Sequence, residues 1–119
     1  MTKVLYVDDE PDIREIAEMS LMLDPEFDVR TVGSGAEALD VIAQWSPDAV
    51  LLDVMMPGMD GPATLAALRD SGNSVPVIFV TARAQRSEIQ GFATLDAVGV
   101  IAKPFDPLTI ASQVRALIP

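Results

Sequence analysis

A chain of 119 residues, half of them hydrophobic, is long enough for one domain with a full core and too apolar for disorder. Its formal net charge of −10 argues against direct binding to nucleic acid or to an anionic membrane. Because it has no cysteine and no histidine, disulfides, thiolate or imidazole metal sites and histidine acid–base chemistry are excluded, and any metal must be held by oxygen, which favours magnesium, manganese or calcium.

The apolar stretches are too short for membrane insertion. None approaches the roughly 20 residues that a membrane helix needs. A strand-like run begins at Val4, which leaves no room for a signal peptide. We therefore expect a cytoplasmic protein that makes no contact with a membrane.

The first half of the chain alternates strand-like runs with helical patterns. Strands are predicted at residues 3–8 and 28–32, with a helix between them that ends at residues 24–25, an Asp-Pro pair. A second helix follows the turn at residues 33–35. The predicted apolar face of the first helix consists of Ile13, Ile16, Ala17 and Leu21, and that of the second of Leu39, Ile42 and Ala43. The continuous apolar run at residues 49–52 is typical of a strand buried on both faces of a sheet.

The second half continues the same alternation. Pro62 suits the first turn of a third helix, which would bury Leu65 and Leu68. The next predicted elements are a strand at residues 75–80, a fourth helix at residues 87–95 and a strand at residues 98–102.

A fifth helix closes the chain. Asp106 can cap its first turn and Pro107 can occupy that turn. Its predicted buried stripe consists of Ile110, Ala111, Val114, Leu117 and Ile118. Strands that alternate with helices in this way predict an α/β fold with a parallel sheet.

Charged and hydroxyl side chains follow four of the predicted strands. Asp8 and Asp9 follow the first strand, Asp53 the third, Thr81 the fourth and Lys103 the fifth. If the strands are parallel, these groups meet at one edge of the sheet, where open α/β sheets bind their ligands. Each residue alone is better explained as a cap, a strand residue or a surface charge, but four coincident strand ends favour a shared site.

The predicted site suits a divalent cation and a phosphoryl group. Asp8, Asp9 and Asp53 would repel one another unless a cation neutralises them, and Mg²⁺ takes one or two carboxylates together with phosphate oxygens. Asp53 is then a candidate nucleophile toward phosphorus. Lys103 and Thr81 can stabilise charge on the transferring oxygens. A cis bond before Pro104 would aim the lysine inward, although trans is the ordinary isomer for such bonds.

In this order and spacing, the motifs resemble those of the receiver domain of two-component response regulators, along essentially the whole chain. Asp8-Asp9-Glu10 is similar to the family's acidic pair, and Asp53 to its phosphoacceptor. Thr81-Ala82 resembles the switch hydroxyl with its small neighbour, and Lys103-Pro104-Phe105 resembles the lysine motif. Met55 occupies the position whose backbone carbonyl binds magnesium in the family.

The resemblance implies a flavodoxin-like (βα)5 three-layer sandwich with strand order 2-1-3-4-5. It implies a stand-alone, chemotaxis-type receiver domain over residues 1–119 with no output domain. Such a domain takes a phosphoryl group on Asp53, with Mg²⁺, from a histidine kinase or a histidine phosphotransfer protein. It is not an enzyme beyond catalysing its own phosphotransfer and autodephosphorylation. It binds a downstream protein through the fourth helix, the fifth strand and the fifth helix, as a monomer or a weak phosphorylation-dependent dimer.

The sequence departs from the family pattern at Val100, where the family commonly has Tyr or Phe as a rotameric switch. A β-branched aliphatic side chain has few rotamers and no hydroxyl, so it cannot reproduce a tyrosine flip. We therefore expect movement of Thr81 to shift residues 82–86 and the start of the fourth helix. This shift would change how three arginines are presented to a partner, namely Arg83, Arg86 and Arg115.

Two other functions are compatible with parts of this pattern. A magnesium-dependent phosphatase with an aspartyl nucleophile would commonly have a second aspartate two residues after the first, as in haloacid dehalogenases, and Met55 stands there instead. A receiver-shaped scaffold that is never phosphorylated is disfavoured by the complete set of site residues, which comprises Asp8, Asp9, Asp53, Thr81 and Lys103.

Overall fold

The computed structural model describes residues 1–82 and 96–118. In these ranges the strands are β1 (Thr2–Val7), β2 (Phe27–Val32), β3 (Ala49–Asp53), β4 (Val77–Thr81) and β5 (Gly99–Ala102). The helices are α1 (Pro11–Leu21), α2 (Gly35–Trp45), α3 (Gly61–Asp70) and α4 (Ile110–Leu117). The predicted fourth helix at residues 87–95 lies outside the described residues. Among the described helices, none is long and apolar enough to cross a membrane.

The five strands form one parallel sheet in the order β2-β1-β3-β4-β5. Each strand was predicted within two residues of its observed bounds. The flavodoxin-like α/β fold and its strand order are therefore confirmed. Parallel strands need crossover connections, which places helices on both faces of the sheet.

The core is divided by the sheet into two clusters, because alternate residues of a strand face opposite sides. On β1, Leu5 and Val7 pack with residues of α2 and α3, whereas Val4 and Tyr6 pack with residues of α1 and α4. The predicted buried residues of α3 belong to the first cluster, and those of α4 belong to or pack against the second. The result is the three-layer arrangement that the resemblance implied.

The predicted apolar faces of α1 and α2 are only partly right. On α1, the buried face is centred on Ala17 and Ser20, which places Ile16 at its margin, 45% exposed. On α2, Ala43 is exposed and Leu39 half-buried. The buried residues of α2 are instead Gly35, Ala38, Ile42 and Trp45. Trp45 has the largest apolar side chain of these four residues, so the face of the helix that carries it packs against the sheet.

The starts of α3 and α4 illustrate one correct and one wrong prediction of where a helix begins. Proline lies in the first turn of α3, as predicted, after Asp60, whose Oδ1 accepts the N–H of Ala63 at 2.9 Å. The helix α4 was expected to begin at residues 106–107 but begins at Ile110. Asp106 instead closes the preceding turn, where its Oδ1 accepts the N–H of Leu108 at 2.9 Å.

Candidate functional site

The carboxyl ends of four strands meet at one edge of the sheet and carry the predicted polar groups. Asp53 is the last residue of β3, and Thr81 is the last residue of β4. Asp8 follows β1 directly, and Lys103 follows β5 directly. The residues Asp8, Asp53 and Thr81 are all buried, with exposed fractions of 0%, 5% and 2%. Burial of two carboxylates here requires compensating partners.

Three carboxylates converge at this edge. One carboxylate oxygen from each of Asp8, Asp9 and Asp53 lies within 4.8 Å of the others. Asp9 is the most exposed of the three and opens the cluster to solvent. The donor set consists of hard oxygen ligands, which suit Mg²⁺. The residues present therefore fit the predicted magnesium ion.

Lys103 bridges the two buried carboxylates. Its Nζ lies 2.6 Å from Asp8 Oδ2 and 3.2 Å from Asp53 Oδ2. Its backbone N–H donates to the carbonyl of Thr81 at 2.8 Å, and the bond to Pro104 is cis. Burial lowers the pKa of Lys103, but the hydrogen bond to Asp8 and the charge of Asp53 raise it by more, so the pKa is raised overall. The amine is therefore a permanent cation in this site.

The ionised form of Asp53 is disfavoured even though Lys103 lies beside it. Burial raises the pKa of Asp53, Lys103 lowers it and the charge of Asp8 raises it, and the balance is a raised pKa. The N–H of Met55 adds a long hydrogen bond of 3.4 Å to Oδ1. One lysine therefore does not fully compensate two buried carboxylates. A divalent cation beside Asp53 would supply the charge that is lacking.

Two side chains that contact Asp8 were not identified from the sequence. The hydroxyl of Tyr6 donates to Asp8 Oδ2 at 3.1 Å, and a guanidinium nitrogen of Arg14 donates to the Asp8 carbonyl at 2.7 Å. Burial and the neighbouring Asp8 raise the pKa of Tyr6, so its hydroxyl stays protonated. Tyr6 lies two residues before Asp8 in an extended run, and residues two apart in a strand lie on the same face of the sheet. This spacing is the sequence signal that could have identified the contact between Tyr6 and Asp8.

Gly61 lets the start of α3 lie directly against the site. A Cβ atom at this position would come within 2.5 Å of the Asp53 carbonyl oxygen and 2.9 Å of the Val54 Cα. Its N–H donates to the Val54 carbonyl at 3.0 Å. The loop that follows Asp53 is thus closed by a backbone contact that only glycine permits.

The two remaining predicted positions, Met55 and Ala82, lie at the margins of the site. The side chain of Met55 is 60% exposed, and the role of its carbonyl stays a prediction. Ala82 and Lys103 are among the residues that line a groove of about 450 Å³ beside the site. The apolar lining of this groove consists of Ile13, Ile16, Pro104, Phe105 and Pro107.

Of the three arginines that were expected to be presented to a partner, the structure describes Arg115. Arg83 and Arg86 lie outside the described residues. Arg115 is hydrogen-bonded to the carboxylate of Asp24, and its guanidinium stacks 4.6 Å from the centre of the Phe27 ring. The Arg115 side chain is nevertheless 41% exposed, and its presentation to a downstream protein stays a prediction.

Comparison with known proteins gives one family. The family model described as response regulator receiver domain matches residues 4–115. Response regulator MprA from Mycobacterium sp. (strain KMS) is 38% identical over 116 residues, which cover 98% of this chain and 50% of that protein. The protein of the same name from Mycobacterium avium (strain 104) is 37% identical with the same coverage. The chain spans about half the length of these relatives.

Solved structures agree with this family. Chemotaxis response regulator CheY4 of Vibrio cholerae has a TM-score of 0.90 and 29% identity, with 99% of each chain covered. The signal receiver domain of the putative response regulator NarL from Mycobacterium tuberculosis has a TM-score of 0.88 and 30% identity, with 97% of this chain and 94% of that chain covered. The Francisella response regulator 1452 receiver domain has a TM-score of 0.90 and 26% identity, with coverage of 98% and 96%.

Proposed function

This chain belongs to the response regulator receiver domain family, and we propose that it is a phosphorylation-controlled switch whose phosphoacceptor is Asp53. The phosphoryl donor is the phosphohistidine of a histidine kinase or of a histidine phosphotransfer protein, and Mg²⁺ is the cofactor. The observation that carries the proposal is the Lys103 ammonium, held between Asp8 and Asp53 at the edge of a three-carboxylate cluster.

The side chains divide the work of phosphoryl transfer. A carboxylate oxygen of Asp53 attacks phosphorus, the N–P bond of the donor breaks, and its electron pair stays on the imidazole. Lys103, 3.2 Å from the attacking carboxylate, donates to the phosphoryl oxygens. Thr81, at the end of the neighbouring strand, is the hydroxyl donor. Asp8, Asp9, Asp53 and the Met55 carbonyl would hold a magnesium ion, with Asp8 acting partly through water, and the ion would supply further positive charge.

The groove beside Lys103 is the surface on which the donor protein docks. Lys103 and Ala82 are part of its lining, so a protein seated in it brings a phosphohistidine next to the site. The apolar surface continues from Ile16 to Met19, which are 45% and 66% exposed on α1. Docking through the fourth and fifth predicted helices and the fifth strand remains our proposal for the downstream protein.

The oligomeric state also stays a prediction. We expect a monomer or a weak phosphorylation-dependent dimer, which size-exclusion chromatography with and without a phosphoryl mimic tests.

The function is tested with acetyl phosphate and Mg²⁺, with intact mass as the readout. We expect one phosphoryl group on the parent, stable in acid and removed by base or hydroxylamine, and none on Asp53→Asn. Asp70→Asn changes an exposed aspartate at the end of α3 and is the matched control, which should label like the parent. Labelling of Asp53→Asn to the parent's extent would refute the proposal. Turnover of an external phosphoester with Mg²⁺ would favour the phosphatase instead.

The docking surface needs a separate experiment. Ile16→Ser should slow transfer from a phosphohistidine protein several-fold and leave labelling by acetyl phosphate unchanged, because the small donor does not use the groove. Val98→Ser is the control, since Val98 is similarly exposed at 42% but lies immediately before β5, at the opposite end of that strand from Lys103. Equal transfer rates in Ile16→Ser and the parent would exclude this groove.

A further inference from the structure

Tyr6 is fully buried and directs its hydroxyl at the carboxylate that Lys103 also binds. The hydroxyl lies 3.1 Å from Asp8 Oδ2. The ring packs edge-on against Phe105, with ring centres 6.2 Å apart and an interplanar angle of 71°. A buried tyrosine hydroxyl normally has a hydrogen-bond partner, and here that partner belongs to the functional site.

Asp8 is fully buried and accepts hydrogen bonds at both oxygens. Its Oδ1 accepts the N–H of Glu10 at 3.0 Å, and its Oδ2 accepts both Tyr6 and the Nζ of Lys103, the latter at 2.6 Å. Of these three donors, only Lys103 carries a charge. Because Lys103 also lies 3.2 Å from Asp53 Oδ2, new anionic oxygens on Asp53 would draw the amine away from Asp8.

We propose that Tyr6 is a positioning residue that keeps Asp8 hydrogen-bonded and in place when Lys103 turns to a phosphoryl group on Asp53. This inference rests on the proposed function. A buried carboxylate oxygen that loses its only donor is destabilised. With Tyr6 present, Asp8 Oδ2 retains one donor after Lys103 leaves. Tyr6 therefore stabilises the phosphorylated form more than the unphosphorylated form, in which Lys103 and Tyr6 are both bonded.

The test is Tyr6→Phe, which removes the hydroxyl and keeps the ring. Beryllofluoride, a mimic of the phosphoryl group, is titrated at saturating Mg²⁺ and its binding followed by fluorine NMR. We expect the half-saturating concentration to rise about three- to tenfold, as the loss of one buried hydrogen bond gives. Affinity for Mg²⁺ without beryllofluoride, measured by calorimetry, should stay close to the parent's because Lys103 still holds Asp8 in that state. A purely structural role would not separate these two affinities.

Two further variants distinguish donor loss from core damage. Tyr6→Leu also lacks the hydroxyl and should repeat the shift. Val4→Ala removes buried volume from the same strand and the same cluster, and it should lower the thermal midpoint without changing beryllofluoride binding.

The outcomes separate this inference from the function on which it rests. If Tyr6→Phe binds beryllofluoride as tightly as the parent, or if Val4→Ala weakens binding equally, the role of Tyr6 is wrong and the function stands. If the parent itself does not bind beryllofluoride in the presence of Mg²⁺, both are wrong.

Discussion

At the scale of single residues, the site places two buried carboxylates beside one lysine, and a bound divalent cation would supply the positive charge that is lacking. Asp8 and Asp53 are almost wholly buried, and one lysine serves both. Lys103 therefore has two roles that act against each other. It neutralises the carboxylates when no metal is bound, and it would repel a Mg²⁺ ion bound beside them.

Replacement of the lysine should separate these two roles. Lys103→Ala should leave the fold intact but lower the free energy of unfolding of the metal-free protein by roughly 1–3 kcal/mol, because a buried carboxylate loses its cation. The same variant should bind Mg²⁺ more tightly than the parent and respond less to beryllofluoride. Urea unfolding with and without Mg²⁺ and calorimetric titration measure these effects. Weaker Mg²⁺ binding in Lys103→Ala would contradict this account.

The acidic cluster could be predicted from the sequence because its signal is local. A carboxylate that ends an apolar run is visible in a single segment, and the parallel sheet brings such segments together, as at Asp8 and Asp53. The contact from Tyr6 is less evident: its position two residues before Asp8 places both side chains on one face of the sheet, but an aromatic residue in a strand is ordinarily a core residue. Only the position of Lys103, from a distant part of the chain, shows that the tyrosine hydroxyl shares an oxygen with it.

At the scale of elements, the loop after β3 depends on how closely α3 approaches it. The first residue of α3, Gly61, touches the backbone of Asp53, and neither backbone segment can move without shifting the site. Helix faces and helix starts were less predictable than strand ends. On α2, the predicted apolar face contained Leu39 and Ala43, whereas the observed face contains Trp45, which packs in the core.

Gly61→Ala should therefore damage both stability and the metal site. The added methyl group would lie 2.5 Å from the Asp53 carbonyl oxygen, and we expect a loss of about 1–3 kcal/mol in unfolding free energy together with weaker Mg²⁺ binding. Gly58→Ala is the control, because its methyl group meets nothing within 4 Å although its φ of 74° is unfavourable for alanine. It should lose stability only. Unchanged Mg²⁺ affinity in a folded Gly61→Ala protein would show that the contact does not position Asp53.

The pair of Arg115 and Asp24 connects α4 to the turn that follows α1 and should make stability depend on pH in the acid range. The hydrogen bond from Arg115 lowers the pKa of Asp24 below its ordinary value. The stabilisation is therefore present above the pKa of an unfolded aspartate and is lost as pH falls through the lower, folded pKa. Arg115→Gln should flatten this part of the curve of unfolding free energy against pH. If the free energy of unfolding of the variant falls as steeply with decreasing pH as that of the parent, other carboxylates cause the pH dependence.

At the scale of the whole molecule, excess negative charge destabilises the compact state and attracts cations without specificity. The chain carries 18 acidic residues against eight basic ones, so self-repulsion should weaken as salt rises. Any stabilisation by Mg²⁺ therefore contains a general screening effect in addition to binding at the cluster of Asp8, Asp9 and Asp53. The two effects differ in one respect, since screening depends on ionic strength and site binding depends on the identity of the ion.

Thermal unfolding at constant ionic strength should separate general screening from binding of Mg²⁺ at the carboxylate cluster. With NaCl exchanged for MgCl₂, the parent's midpoint should rise with Mg²⁺ concentration, because a ligand that binds only the folded state stabilises it by mass action. In Asp9→Asn, this ion-specific rise should shift to concentrations at least several-fold higher, whereas the response to NaCl alone should be nearly unchanged, since the net charge alters by one unit in ten. Asp12→Asn makes the same charge change on α1 and should keep the parent's Mg²⁺ response. If Asp9→Asn and Asp12→Asn respond alike, Mg²⁺ acts by screening alone and the carboxylate cluster does not bind it.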